Sequence, residues 1–200
     1  FSLGERTALT VSGRYNRTYV ELEDQLEDDL DGDHEFQRFN PAVGLTVGTE
    51  ALTFYVGYSE ANRAPSPVEL TCADENDPCR LPNAGLADPP LEQVVANTFE
   101  GGVRGAWDRG RWHAGVFRTT NDDDILFISA GALTNQGFFD NVGETRRDGF
   151  EVNLSGSAGE RLTWSLDYTY LDATFREDFA VASPNHPEAQ RLRDQAHRAS

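Results

Sequence analysis

The sequence predicts an all-β chain, an antiparallel up-and-down meander of about seven strands that is part of a larger transmembrane β-barrel. Three observations carry this. Long segments alternate apolar and polar residues with period two. Tight glycine-containing turns alternate with long polar connections. The second face of the strands is too polar for a dry core, yet it suits a wet lumen. In a soluble sheet the apolar face needs a covering layer, and no segment supplies one.

The stretch RRDGFEVNLSG (146–156) shows the pattern, with Phe150, Val152 and Leu154 opposite Glu151, Asn153 and Ser155. In TALTVSGRYNRTYV, Leu9, Val11, Tyr15 and Tyr19 oppose Thr10, Ser12, Arg14, Asn16 and Thr18. FNPAVGLTV sets Phe39, Val43, Leu45 and Val47 against Asn40, Gly44 and Thr46. LTFYVGYS sets Leu52, Phe54, Val56 and Tyr58 against Thr53, Tyr55, Gly57 and Ser59. TFEGGVRG is weaker, with Phe99 and Val103 opposite Glu100 and Arg104. RWHAGVFR groups Trp112, Ala114 and Val116 and leaves Phe117 out of phase. LTWSLDYTYL closes the series with Leu162, Trp164, Leu166, Tyr168 and Tyr170. These strands of roughly 9–14 residues exceed the five or six usual in globular sheets. Helical spacing is confined to PEAQRLRDQAHRAS (187–200).

The turns are GTEA (48–51), WDRG (107–110) and GSAGER (156–161). The long connections are expected over about 21–36, 61–96, 129–137 and 176–200. Sorted in this way, short turns belong to the periplasmic end of a barrel and long loops to the outside. Tyr15, Tyr19, Tyr58, Trp112, Tyr168 and Tyr170 fall near strand ends, where interfacial girdles lie.

The 200 residues carry 34 acidic and 17 basic side chains, a net charge of −17, and every basic residue is Arg. A polyanion would be repelled, so nucleic acid is excluded as a partner. An acidic surface suits divalent cations, cationic partners or a salty habitat. No run of 18 apolar residues marks a transmembrane helix. No nucleophile elbow, phosphate loop or His-rich metal motif is present, so no catalytic residue, metal or cofactor is expected and the chain is not read as an enzyme. Asp29, Asp31 and Asp33 approach a calcium-loop spacing but lack its closing Glu, and read as solvated acid. Cys72 and Cys79 flank a turn-forming ADENDP segment, so the sulfurs can meet. A disulfide there is expected, worth roughly 2–3 kcal/mol in the chain-entropy model. The alternatives are free thiols or a metal pair, and the four His stand far off in sequence.

Three segments, YVGYSEANRAPSPVELTC (55–72), VFRTTNDDDILFI (116–128) and GFFDNVGETRRDGFEVNLSG (137–156), resemble the barrel of TonB-dependent outer-membrane receptors. A Tyr-Ser-x-x-x-Arg-x-Pro-Ser element is matched by Tyr58, Ser59, Arg63, Pro65 and Ser66, and an Asn-Val-Gly element by Asn141, Val142 and Gly143, followed by Gly149. The resemblance covers most of residues 36–175. It implies a barrel of about 22 strands with a plugged lumen, of which this chain supplies an internal third without the plug.

The resemblance further implies the outer membrane of a Gram-negative bacterium and energised import of a scarce ligand, chiefly a ferric siderophore. The implied partners are outer-membrane lipid and lipopolysaccharide, the plug domain, the TonB energy-coupling protein and a small ligand such as a ferric chelate. The alternative is a porin or a barrel enzyme active at its rim. Arg63, Glu100, Arg104 and Glu151 are the candidate ligand-binding residues: Arg63 begins the longest loop, and the others lie on polar strand faces. The competing reading pairs Arg63 with Glu60 or Glu69. Deleting residues 68–90 is expected to abolish ligand binding and spare assembly, since it touches no predicted strand. His113 is the only His in a predicted strand and has no evident partner.

Overall fold

The computed structural model describes residues 2–4, 6–23, 32–49, 51–73, 79–80, 91–129, 136–159, 161–183 and 186–192. In chain order the strands are β1 (Ser2–Gly4), β2 (Thr7–Leu22), β3 (Gly32–Thr49), β4 (Leu52–Arg63), β5 (Cys79–Arg80), β6 (Val94–Trp107), β7 (Gly110–Asp122), β8 (Ile125–Ser129), β9 (Gln136–Asn141), β10 (Thr145–Ala158), β11 (Leu162–Phe175), β12 (Phe179–Ser183) and β13 (His186–Leu192). A single turn of helix, α1, spans Pro67–Leu70.

Seven long strands and the short β1 form one antiparallel sheet in the order β1-β2-β3-β4-β6-β7-β10-β11. The meander is as expected, since each long strand pairs with the next long strand in sequence. Directly opposed residues share a face. Leu9, Leu45, Val56, Gly101, Val116, Phe150 and Tyr170 stand in one cross-strand row, and Val43, Val152 and Leu166 have the same phase. This face is not covered: Val11, Phe54, Val56, Val116 and Leu166 are each more than half exposed. A soluble protein does not leave such a band open to water.

The band also climbs through the register. On β2 it ends at Tyr15, followed on the same face by Arg17; on β11 it ends at Tyr170, followed by Asp172. Yet the row that ends at Tyr170 meets β2 at Leu9, six residues below Tyr15. At about 3.3 Å per residue and about 4.8 Å between strands, six residues over six intervals correspond to a tilt of about 35°. That is the tilt of strands in a closed barrel.

Among the described residues of the long strands, charges on this face occur only above the band, among them Arg17, Glu35, Glu60, Arg118, Asp148 and Asp172. Arg17–Glu35 and Arg118–Asp148 pair across strands at 2.6 Å. Phe150 packs with Tyr168 and Tyr170 at 5.7 and 5.6 Å, and Tyr58 with Phe99 at 4.7 Å, near the upper edge. All three Trp (107, 112 and 164) sit toward the short-turn end. The out-of-phase Phe117 points to the other face and lays its ring over Gly149.

Several boundaries differ from expectation. The long strands run 12 to 18 residues, because β2 and β3 extend into the expected 21–36 loop. Asp29 and Asp31 lie outside the described residues, whereas Asp33 is in β3 and accepts from Tyr19 at 2.6 Å. His34 is also in a strand. The segment 187–192, read as helical, belongs to β13 in a hairpin with β12. A short helical spacing cannot be told from a strand without its partner.

The long connections on one side are not structureless. Strands β5, β9 and β8 form a second small sheet beside α1. Leu70, Leu91, Val94 and Ile125 form a core, with Val20, Leu22, Phe36, Ala73 and Phe139 against it. The segment 68–90 thus contributes a helix, a strand and a core residue.

Candidate functional site: the inward wall and its cap

The face opposite the apolar band carries Thr, Ser, Asn, Arg and Glu side chains. At mid-wall, Tyr55 on β4 stands opposite Gly102 on β6, which in turn stands opposite Gly115 on β7. A Cβ on either glycine would lie 2.6 Å from the Tyr55 hydroxyl. These two glycines let the ring cross β6 and reach His113. The hydroxyl lies 2.6 Å from His113 Nε2, and the rings stack at 5.6 Å. His113 Nδ1 lies 3.0 Å from Asn153 Oδ1, and Asn153 Nδ2 donates to Asp167 at 2.8 Å. The acid end fixes the direction of the chain. Asn153 uses its N–H on Asp167, so its oxygen accepts from His113 Nδ1–H, and Nε2 accepts from Tyr55. With the proton of this ring on Nδ1, every bond of the chain is completed. Glu151 Oε1 stands 3.6 Å from Nδ1.

The expectation that His113 lacks partners is therefore corrected. Its partners come from β4 and β10, far away in sequence, and the available signal was an aromatic on a polar face in register with two glycines. Glu100, Arg104 and Glu151 line an open recess with Tyr55 and His113. Among the described residues no cluster of His, Cys, Asp and Glu could hold a metal.

At the junction of β3 and β4 the ladder stops at Ala42↔Ser59, beside Pro41, which has no N–H to donate. Side chains replace it. Asn62 Oδ1 accepts from Asn16 at 2.8 Å and Asn40 at 2.7 Å, and Arg38 donates to Glu60 at 3.0 Å.

Arg63 is not gathered with the wall residues. Its Nη1 donates to Glu69 Oε1 and Oε2 at 3.1 and 2.8 Å. Ser66 caps α1: its N–H donates to Glu69 Oε2 at 2.7 Å, and its hydroxyl accepts from Glu69 N–H at 3.3 Å. Pro67 follows at the first turn, where a missing N–H costs nothing. In the isolated chain Arg63 holds this box together, as the pairing alternative foresaw.

Burial pushes the Glu69 carboxyl up, and the hydrogen bonds from Arg63 and Ser66 outweigh it, leaving the group below its ordinary value. A depressed folded pKa gives stability that is present above the unfolded value of about 4.3 and lost as pH falls through the folded value. Amide protection factors in α1, with the intrinsic pH dependence of exchange divided out, should therefore hold steady from neutral pH to about 4 and fall below it. Protection unchanged at lower pH would show that Glu69 does not support the helix.

The Asn-Val-Gly element is likewise architectural. Asn141 Nδ2 donates to Asp123 O at 2.7 Å and Glu92 O at 3.2 Å, and its Oδ1 accepts from Glu92 N–H at 2.9 Å. It ties three loop segments together. Val142 is buried, and Gly143 has φ of +77°, a conformation that disfavours a side chain. Cys72 is buried and carries no free thiol, and its N–H and carbonyl face the cap, the carbonyl accepting from Phe139 N–H at 2.6 Å. The Cys79 side chain lies outside the described residues.

The profile of the TonB dependent receptor-like β-barrel family matches residues 1–200. Over 137 residues, 66% of the chain, the sequence is 32% identical to the probable TonB-dependent siderophore receptor PiuA of Acinetobacter baumannii, and it spans 16% of that protein. The alcaligin outer membrane receptor FauA of Bordetella pertussis superposes with a TM-score of 0.58 at 20% identity, over 86% of this chain and 28% of that one. BauA, the ferric preacinetobactin receptor of Acinetobacter baumannii, gives a TM-score of 0.57 at 18% identity, over 84% of this chain and 23% of that one.

Proposed function

Because the chain belongs to the TonB-dependent receptor β-barrel family, we propose that it is a wall segment of an outer-membrane receptor that imports a ferric siderophore by energy-coupled transport. The observation that carries this reading is the family match over the whole chain, joined to the similarity with a siderophore receptor. The tilted apolar band and polar inward face supply the physical reason. One face meets outer-membrane lipid, the rim meets lipopolysaccharide, and the other face meets the plug domain, through which the TonB energy-coupling protein acts. The family comprises receptors and transporters, so the porin and rim-enzyme alternatives are set aside.

Ligand recognition is assigned to the cap and the inward wall, with Glu100, Arg104 and Glu151 facing the lumen. Arg63 serves indirectly, by holding Glu69 and α1 in place. Residues 72 to 79 are closed by a Cys72–Cys79 bridge. Alkylation of the oxidised receptor should leave both cysteines unlabelled until reductant is added; full labelling without reductant removes the bridge.

The test of function is uptake of radioactive ferric siderophore by cells that carry the complete receptor as their only route. Uptake should stop when the proton-motive force is collapsed. Uptake that persists after collapse identifies a passive pore instead.

A further inference from the structure

The chain is strongly acidic, but its inward wall is not. On the seven long strands the inward phase carries Arg14, Arg38, Arg63, Arg104, Arg111 and Arg147 against only Glu100, Glu151 and Asp167. Most of the 34 acids lie in the loops and on the outer rim. Three of the six Arg are already engaged: Arg38 with Glu60, Arg63 with Glu69 and Arg147 with Asp124.

Arg104 and Arg111 are different. Arg104 opposes His113 and Arg111 opposes Ala106, which makes the two guanidinium-bearing residues diagonal neighbours on β6 and β7. Diagonal positions lie roughly 7–8 Å apart, close enough for like charges to repel. Among the described residues neither makes a hydrogen bond or an ion pair. Both are exposed and line one open recess toward the short-turn end, together with Thr53, Asn153 and Ser155. In this recess the two guanidinium forks have neutral amide and hydroxyl groups beside them. Glu100 and Glu151 line the neighbouring recess, which Arg104 also borders without pairing with either, so both forks are open to an anion.

We propose that Arg104 and Arg111 form a carboxylate-binding site on the inward wall, an inference that rests on the lumen assignment above. Separate forks on adjacent strands suit single carboxylates in two-point contact. The carboxylate has two sources, a side chain of the receptor segment that fills the lumen or a free anionic chelate.

The experiment is arginine-selective modification of the complete receptor with phenylglyoxal, with rates read at Arg104 and Arg111 by mass spectrometry and Arg109, in the exposed turn, as reference. An internal carboxylate leaves both residues slow to react, and high salt speeds them by about tenfold, the factor of one charge-assisted hydrogen bond. A free-ligand site reacts as fast as Arg109, is slowed about tenfold by citrate, and is indifferent to glycerol. Reaction at the Arg109 rate with and without citrate, or slow reaction that salt does not change, overturns the site. In the free-ligand case an Arg104→Gln/Arg111→Gln receptor, assembled by heat-modifiable migration, loses citrate binding in calorimetry; binding retained overturns the assignment. None of these readouts depends on siderophore transport, so their failure is distinct from failure of the receptor reading, which uptake and barrel assembly report.

Discussion

Leu166→Arg is expected to prevent assembly of the receptor barrel, whereas Ser165→Arg, one residue away, is expected to be tolerated. Leu166 is 57% exposed and lies in the middle of the β11 band that runs from Leu162 to Tyr170. Its cross-strand partner is Leu154 and its flanking same-face residues are Trp164 and Tyr168, so its surroundings are lipid and apolar side chains. Arg at the bilayer midplane of a barrel costs about 2–4 kcal/mol. Ser165 has the opposite phase, opposes Ser155 and faces the wet lumen, where a guanidinium keeps its hydration. Heat-modifiable migration of the membrane-embedded receptor measures the difference. Equal assembly of the two variants would mean that the apolar face does not meet lipid.

The second large effect is expected at Leu70→Ala, on the cap rather than the barrel. Leu70 has no exposed surface and joins Leu91, Val94 and Ile125, residues drawn from the connections or strand ends on either side of β6 and β7. Truncating a fully buried Leu costs about 2–5 kcal/mol. A cap of one helical turn and three short strands has little other apolar contact to absorb the loss. Limited proteolysis should then cut between residues 64 and 93 in the variant and spare the native receptor, with heat-modifiable migration unchanged in both. Siderophore binding should weaken in parallel. Resistance equal to the native protein would show that Leu70 does not hold the cap.

The two elements that resemble the family also have an architectural task. Arg63 to Ser66 and Asn141 to Gly143 help to build the cap. Arg63 and Ser66 secure the Glu69 box, and Asn141 joins segments 92, 123 and 141. Read alone, Arg63 could contact a ligand or pair with Glu60 or Glu69; only the side-chain geometry shows the pair with Glu69. The same holds for Tyr55 and His113. The pattern put Tyr55 on the polar face, but its contact with His113 needs Gly102 and Gly115 in register between them.

The sequence alone determined the seven long strands, their two faces and the alternation of short turns with long loops. Period two is a local property of an extended chain, and a residue's phase fixes its face whatever its partner. Register, tilt and the folding of the long connections were decided only by the tertiary structure. They depend on which residues of distant strands stand opposite each other, and local patterning contains no such information. The climb of the apolar band from Leu9–Tyr15 to Leu162–Tyr170, the cap core at Leu70 and the unneutralised Arg104–Arg111 diagonal all exist only once that pairing is set.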